Sequence, residues 1–93
     1  MPIRSFKCSD TQALFEGKRV KRWVNIERPA LRKLAQLDWS AVLDDLKVPP
    51  GNGLEALEDD RRGQHSIRIN KQWRVCFVWT PEGADDVEIV DYH

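Results

Sequence analysis

Halfway along the chain the spacing of apolar residues changes from a helical to a strand period. Before Pro49, Ala30, Leu34 and Leu37 recur three and four positions apart with Leu31 beside them. That spacing predicts one amphipathic helix beginning near Pro29, where a missing N–H costs nothing. An earlier, shorter helix is expected through Gln12-Ala13-Leu14-Phe15-Glu16, capped by Ser9-Asp10-Thr11 and stopped at Gly17. Ser40 is expected to cap a further turn holding Val42, Leu43 and Leu46, and Pro49-Pro50-Gly51 ends helical structure. Beyond that point the pattern alternates. His65-Ser66-Ile67-Arg68-Ile69-Asn70 and Trp73-Arg74-Val75-Cys76-Phe77-Val78-Trp79 read as strands, with only Lys71-Gln72 between them. A tight hairpin with Asn70 near its turn follows. Pro81-Glu82-Gly83 makes a second turn, Asp86 to His93 a third strand, and Leu54–Glu58 and Pro2–Lys7 are further strand candidates. The expected fold is α+β, with two to three N-terminal helices packed on one face of a mostly antiparallel β-sheet. At 93 residues, positions 1–93 are expected to form a single domain.

Strand parity divides the side chains of this sheet. Ile67, Ile69, Trp73, Val75, Phe77, Trp79, Val87 and Ile89 form a large apolar floor for the helices. Ser66, Arg68, Arg74, Cys76, Val78, Glu88, Val90 and Tyr92 fall on the face that the helices leave open. Arginine offers planar donors to phosphate, and a tyrosine ring can stack on a base. Exposed antiparallel faces also carry arginines for solubility alone, and Arg74 can simply pair with Glu88 across strands. Parity does not decide between these readings. A histidine such as His93 can exchange a proton near neutral pH, although a terminal histidine is more often a frayed, idle end. His65 has core-side parity and reads as structural.

The 15 cations balance the 15 anions, but not locally. Residues 1–48 carry a net +4 and residues 49–93 a net −4, with the densest basic run at Lys18-Arg19-Val20-Lys21-Arg22. A local cationic site is therefore compatible with a neutral total, whereas indiscriminate binding to free RNA is not favoured. That run is open to three readings: an RNA contact, a solvated loop, or a contact for an acidic protein segment. Cys8, Cys76, His65 and His93 show no zinc spacing, and Gly51-Asn52-Gly53 lacks the Lys and Ser/Thr of a phosphate loop, so no cofactor is expected. No apolar run approaches the roughly 20 residues of a membrane helix. The opening Met1-Pro2-Ile3-Arg4-Ser5-Phe6-Lys7 lacks the apolar core of a signal peptide, and two cysteines are far from a disulfide scaffold. A cytoplasmic protein with no membrane partner is expected.

Several segments carry a more specific signal. Pro50-Gly51-Asn52-Gly53-Leu54-Glu55-Ala56-Leu57, Arg61-Arg62-Gly63-Gln64-His65-Ser66-Ile67-Arg68-Ile69-Asn70, Gln72-Trp73-Arg74-Val75-Cys76-Phe77 and Asp91-Tyr92-His93 together resemble HigB-type toxins of the RelE superfamily. Ile3-Arg4-Ser5-Phe6, the Phe15 helix and the Leu31–Leu37 helix fit as well, so the resemblance covers essentially the whole chain. It implies a RelE-like fold and a ribosome-dependent mRNA endoribonuclease that cuts codons in the ribosomal A site and inhibits translation. It also implies neutralisation by a HigA-like helix-turn-helix antitoxin, with operator DNA contacted only through that antitoxin.

Carried over residue by residue, the resemblance points to Arg74, Asp91, Tyr92 and His93 as the catalytic group, with Arg61 beside them. Arg68, Lys18, Arg19, Lys21 and Arg22 are the expected RNA-binding cations. Metal-free cleavage needs a base for the 2′-OH, cations for the phosphorane-like charge and a proton for the leaving 5′-oxygen. Some HigB toxins carry a histidine and a lysine where this chain has Glu55 and Glu58. That departure leaves a weak nuclease, or a ribosome- or antitoxin-binding module acting in operon autoregulation, as the alternative. Glu55 is then either a general base or an exposed strand residue.

Overall fold

The computed structural model describes residues 3–92, and the expected strands and helices appear in the expected order. Helix α1 (Ser9–Phe15) and helix α2 (Glu27–Trp39) cover one face of a four-stranded antiparallel sheet. Its strands, β1 (Glu55–Ala56), β2 (His65–Arg68), β3 (Trp73–Thr80) and β4 (Gly83–Asp91), lie side by side in chain order. Short 3-10 turns at Lys21–Ile26, Leu43–Lys47, Pro50–Asn52 and Asp59–Arg61 complete the connections.

The apolar stripe of α2 packs as its spacing requires. Ala30, Leu34 and Leu37 are fully buried against Ile67, Val75, Phe77 and Val87 of the sheet. Trp23 joins this core and meets Trp73 edge-on, with ring centroids 6.2 Å apart. His65 stacks over Phe77 at 6.3 Å, which fits its structural reading.

The caps differ from expectation. Helix α1 begins at Ser9 with no side-chain cap, because Thr11 is turned inward instead. The Thr11 hydroxyl accepts the buried N–H of Ile89, at 3.1 Å, and so ties the helix to β4. Ser40 donates back to the Gln36 carbonyl as the end of α2, and Asp45 caps the following turn by accepting from Ala41 and Val42. The β2–β3 hairpin closes on Asn70, whose Oδ1 accepts the N–H groups of Gln72 and Trp73 at 2.8 Å each. Of the Pro2–Lys7 strand candidate, Ile3 and Phe6 make isolated parallel bridges to Ala84 and Val87. Met1 and Pro2 lie outside the described residues.

A β-bulge sets the register of the last hairpin. Val78 pairs with Asp85 while Cys76 pairs with Glu88, so β4 carries one residue more than β3 over this interval. Asp86 takes it up at φ +53°, a conformation Asp tolerates better than most L-residues. Without the bulge, a ladder continued evenly from the Val78–Asp85 pair would set Glu88 opposite Val75, on the apolar floor. With it, Val87 and Ile89 enter the core and Glu88, Val90 and Tyr92 share the other face.

Candidate functional site

The face away from the helices is built in two rows by the strand register. Glu55, Ser66, Cys76 and Glu88 line up across β1, β2, β3 and β4, and Arg68, Arg74 and Val90 form the next row. Only part of this face is open. Ser66 and Cys76 are fully buried, as a mid-strand cysteine that packs would be. The Asp59–Arg61 turn brings the Arg61 guanidinium over this row, where it meets Glu88 and influences Cys76.

The cations of the open face are held in place. Arg61 Nη1 donates to Glu88 Oε2 at 3.0 Å and to Gln64 Oε1 at 3.1 Å, and Lys7 lies 3.9 Å from the same carboxylate oxygen. The hydrogen bond to Glu88 pushes the Arg61 guanidinium further above its ordinary range, so its charge is permanent. Arg74 Nη1 stands 3.7 Å from Glu55 Oε1, and its Nη2 donates to the Gly53 carbonyl. The Arg74 Cζ lies 5.6 Å from the centre of the Tyr92 ring, within cation–π range. Its side chain is only 14% exposed, and its Nε is buried without a partner among the described residues. Arg68, directly opposite Arg74 on β2, is exposed and donates from Nε to the Asn70 carbonyl at 3.2 Å.

Of the residues named from sequence, the structure therefore gathers Arg61, Arg68, Arg74 and Tyr92. Asp91 has the opposite parity: it pairs with Trp73, and its Oδ2 accepts from Gln72 Nε2 at 3.0 Å. His93 lies outside the described residues. The pairing of Arg74 with Glu88 is replaced by Arg74–Glu55 and Arg61–Glu88, because the bulge sets Glu88 opposite Cys76. Lys18, Arg19, Lys21 and Arg22 sit in the helical layer, beside the Val20 and Trp23 that enter the core. Lys18 pairs with Glu16 at 3.6 Å, Arg19 with Glu27 at 3.7 Å and Arg22 with Asp10 at 3.3 Å, while Arg22 also covers the Trp23 ring at 4.3 Å. Three of the four cations of that run thus face local carboxylates, in pairs that stay open to solvent.

Sequence reasoning did not find the Gly53 carbonyl, Gln64 or Gln72 as partners. Backbone acceptors carry no residue signature, although the positive φ of Gly53 is foreshadowed by its Asn-Gly context. Burial pushes the Cys76 thiol up, which disfavours the nucleophilic thiolate. Among the described residues no group of three or more His, Cys, Asp or Glu is placed to hold a metal ion.

The family described as RelE-like toxin of type II toxin–antitoxin system HigB matches residues 4–93. The chain is a member of that HigB-like toxin family. This HigB-like chain is 40% identical over 76 residues to Toxin HigB-1 of Vibrio cholerae serotype O1, covering 80% of each protein. It is also 40% identical over 55 residues to an uncharacterized protein of Haemophilus influenzae, covering 59% of this chain and 54% of that one. The sheet and helices are consistent with a RelE-like fold, and membership of a type II system implies an antitoxin partner. No helix of the HigB-like chain, among the described residues, is long and apolar enough to cross a membrane.

Proposed function

We propose that this HigB-like toxin is a ribosome-dependent mRNA endoribonuclease, needing no metal, that inhibits translation in the cytoplasm until a HigA-like helix-turn-helix antitoxin neutralises it. Operator DNA is reached only through that antitoxin. The observation that carries the reading is the juxtaposition of Arg68 and Arg74 on neighbouring strands, with the Tyr92 ring against Arg74. Like charges directly opposite in a sheet are mutually unfavourable, and a phosphate beside both would relieve that repulsion. An RNA phosphate beside a base supplies both the charge and the stacking surface.

In this reading Arg74 and Arg61 stabilise the charge that builds on the phosphorane, a role suited to permanently protonated groups held in place before reaction. Tyr92 stacks on a base. His93 exchanges the proton for the 2′-OH or the 5′-oxygen, and Asp91 orients it. The ribosome fixes the message in cleavable geometry, which relieves the protein of binding RNA strongly on its own.

A second reading rests on a specific observation: both arginines already face carboxylates, Glu55 at 3.7 Å and Glu88 at 3.0 Å. Such pairing reduces the field available to a phosphate and favours a module that binds the ribosome or antitoxin with weak or no nuclease activity. Induction without antitoxin, followed by mapping of mRNA 5′ ends, separates the two. The nuclease reading predicts growth arrest with new ends inside translated codons, lost in Arg74→Ala. Arrest with intact messages contradicts it and supports the binding module.

A further inference from the structure

Asn52 is fully buried, and a buried amide is retained where its hydrogen bonds do something an apolar side chain cannot. Its Nδ2 donates to Gln36 Oε1 and the Leu46 carbonyl, each at 3.1 Å, and to the Val48 carbonyl at 3.4 Å. Its Oδ1 accepts from Lys33 Nζ at 2.6 Å, and its own N–H donates to the Pro49 carbonyl at 2.9 Å. One side chain thus joins α2, the Leu43–Lys47 turn and the Pro50–Asn52 turn. The next residue is Gly53, at φ +53°, and its carbonyl is the acceptor for Arg74 Nη2. A Cβ at Gly53 would stand 3.3 Å from that nitrogen, so the backbone approaches the guanidinium closely.

We infer that Asn52 is a positioning residue for Arg74: by anchoring the Pro50–Asn52 turn to α2, it fixes the Gly53 carbonyl that orients the Arg74 guanidinium. The inference rests on the reading that Arg74 serves an RNA phosphate. The chemistry of the acceptor matters. A long arginine side chain loses rotamer entropy when fixed, and fixing it beforehand removes that cost from the reaction step. A carboxylate would fix it but cancel its charge. A backbone carbonyl orients the planar fork and leaves the charge intact for phosphate. Asparagine suits the anchoring position because its two N–H donors are shared among three oxygens and its oxygen accepts from one ammonium; Asp and Leu each lose the donors.

The test uses Asn52→Asp, which preserves shape and the Lys33 contact while removing the donors. Lys33→Met, which removes only the Oδ1 partner, serves as the milder variant if the first fails to fold. Nitrogen-15 NMR of arginine side chains reads the guanidinium directly, with Arg68 on the adjacent strand as internal control. The expected result is a restrained Arg74 signal in the parent that becomes mobile in the variant, an unchanged Arg68 signal, and mRNA cleavage on ribosomes falling about tenfold. An Arg74 signal unaltered by either variant overturns the inference. So does an Arg68 signal that changes equally, or full cleavage despite a mobilised Arg74. Should the parent itself show no cleavage while Arg74 is restrained through Asn52, the nuclease reading fails and the positioning stands on the NMR result.

Discussion

Arg74 is gripped on one side by a neutral carbonyl and approached on the other by the Glu55 carboxylate, and these two neighbours act on its charge in opposite ways. Glu55 is half exposed, so its attraction is screened to about 1 kcal/mol or less, the scale of a few-fold change in a rate or affinity. Glu55→Gln is therefore expected to raise cleavage on ribosomes about twofold to fivefold, measured under single-turnover conditions. A large loss would instead make Glu55 the general base. Cys76 offers a second residue-scale check. Burial disfavours its thiolate and raises its pKa, with the Arg61 cation opposing only in part. Alkylation of the native protein near pH 7.5, chosen as roughly one unit below the usual thiol range, is expected to modify half-buried Cys8 and spare Cys76. Peptide mass spectrometry reads the result, with both sites modified in denaturant. Arg74, Arg61 and Tyr92 were nameable because the short segments that carry them resemble those of HigB-type toxins. Their partners were not, since Gly53 contributes only backbone and Glu88 is placed by a register that no nearby residue announces.

At the level of elements, the Asp86 bulge decides which residues of β4 reach the arginine face. Asp85-Asp86 reads in sequence as ordinary polar strand or turn, so the apolar alternation of Val87 and Ile89 made the two faces of β4 legible, whereas the bulge and the exact pairing of Glu88 with Cys76 were not. Asp86→Val forces a β-branched residue to φ +53° and is expected to cost about 1–2 kcal/mol. Asp86→Gly is expected to leave stability unchanged or raise it slightly, both read by urea unfolding. Helix α2, in contrast, follows directly from its apolar spacing. Leu34→Ala in its buried stripe is expected to cost about 2–5 kcal/mol, through lost contacts and the cavity left behind. The cap of α1 was misassigned for an instructive reason. Thr11 has the chemistry of a cap, but its hydroxyl is claimed by Ile89, which is 78 positions away and invisible to local reasoning.

Over the whole molecule, the positive and negative halves of the chain fold against each other. Arg4 lies 3.6 Å from Glu82 and 3.7 Å from Asp85, and Lys7 3.9 Å from Glu88, joining the first residues described to the last hairpin. The basic run instead pairs within its own half, with Glu16, Glu27 and Asp10. A chain with zero net charge is not suited to indiscriminate binding of free RNA, yet it presents a small cationic site on one sheet face. Those properties suit an enzyme whose substrate is held for it. The direct measurement is single-turnover cleavage of one short message by the purified protein, free in solution and bound to ribosomes with an empty A site. Cutting within the A-site codon on ribosomes, little or none on free message, and a loss of about 100-fold or more in Arg74→Ala is the predicted result. Equal cutting of free and ribosome-bound message, or full activity in Arg74→Ala, would contradict it.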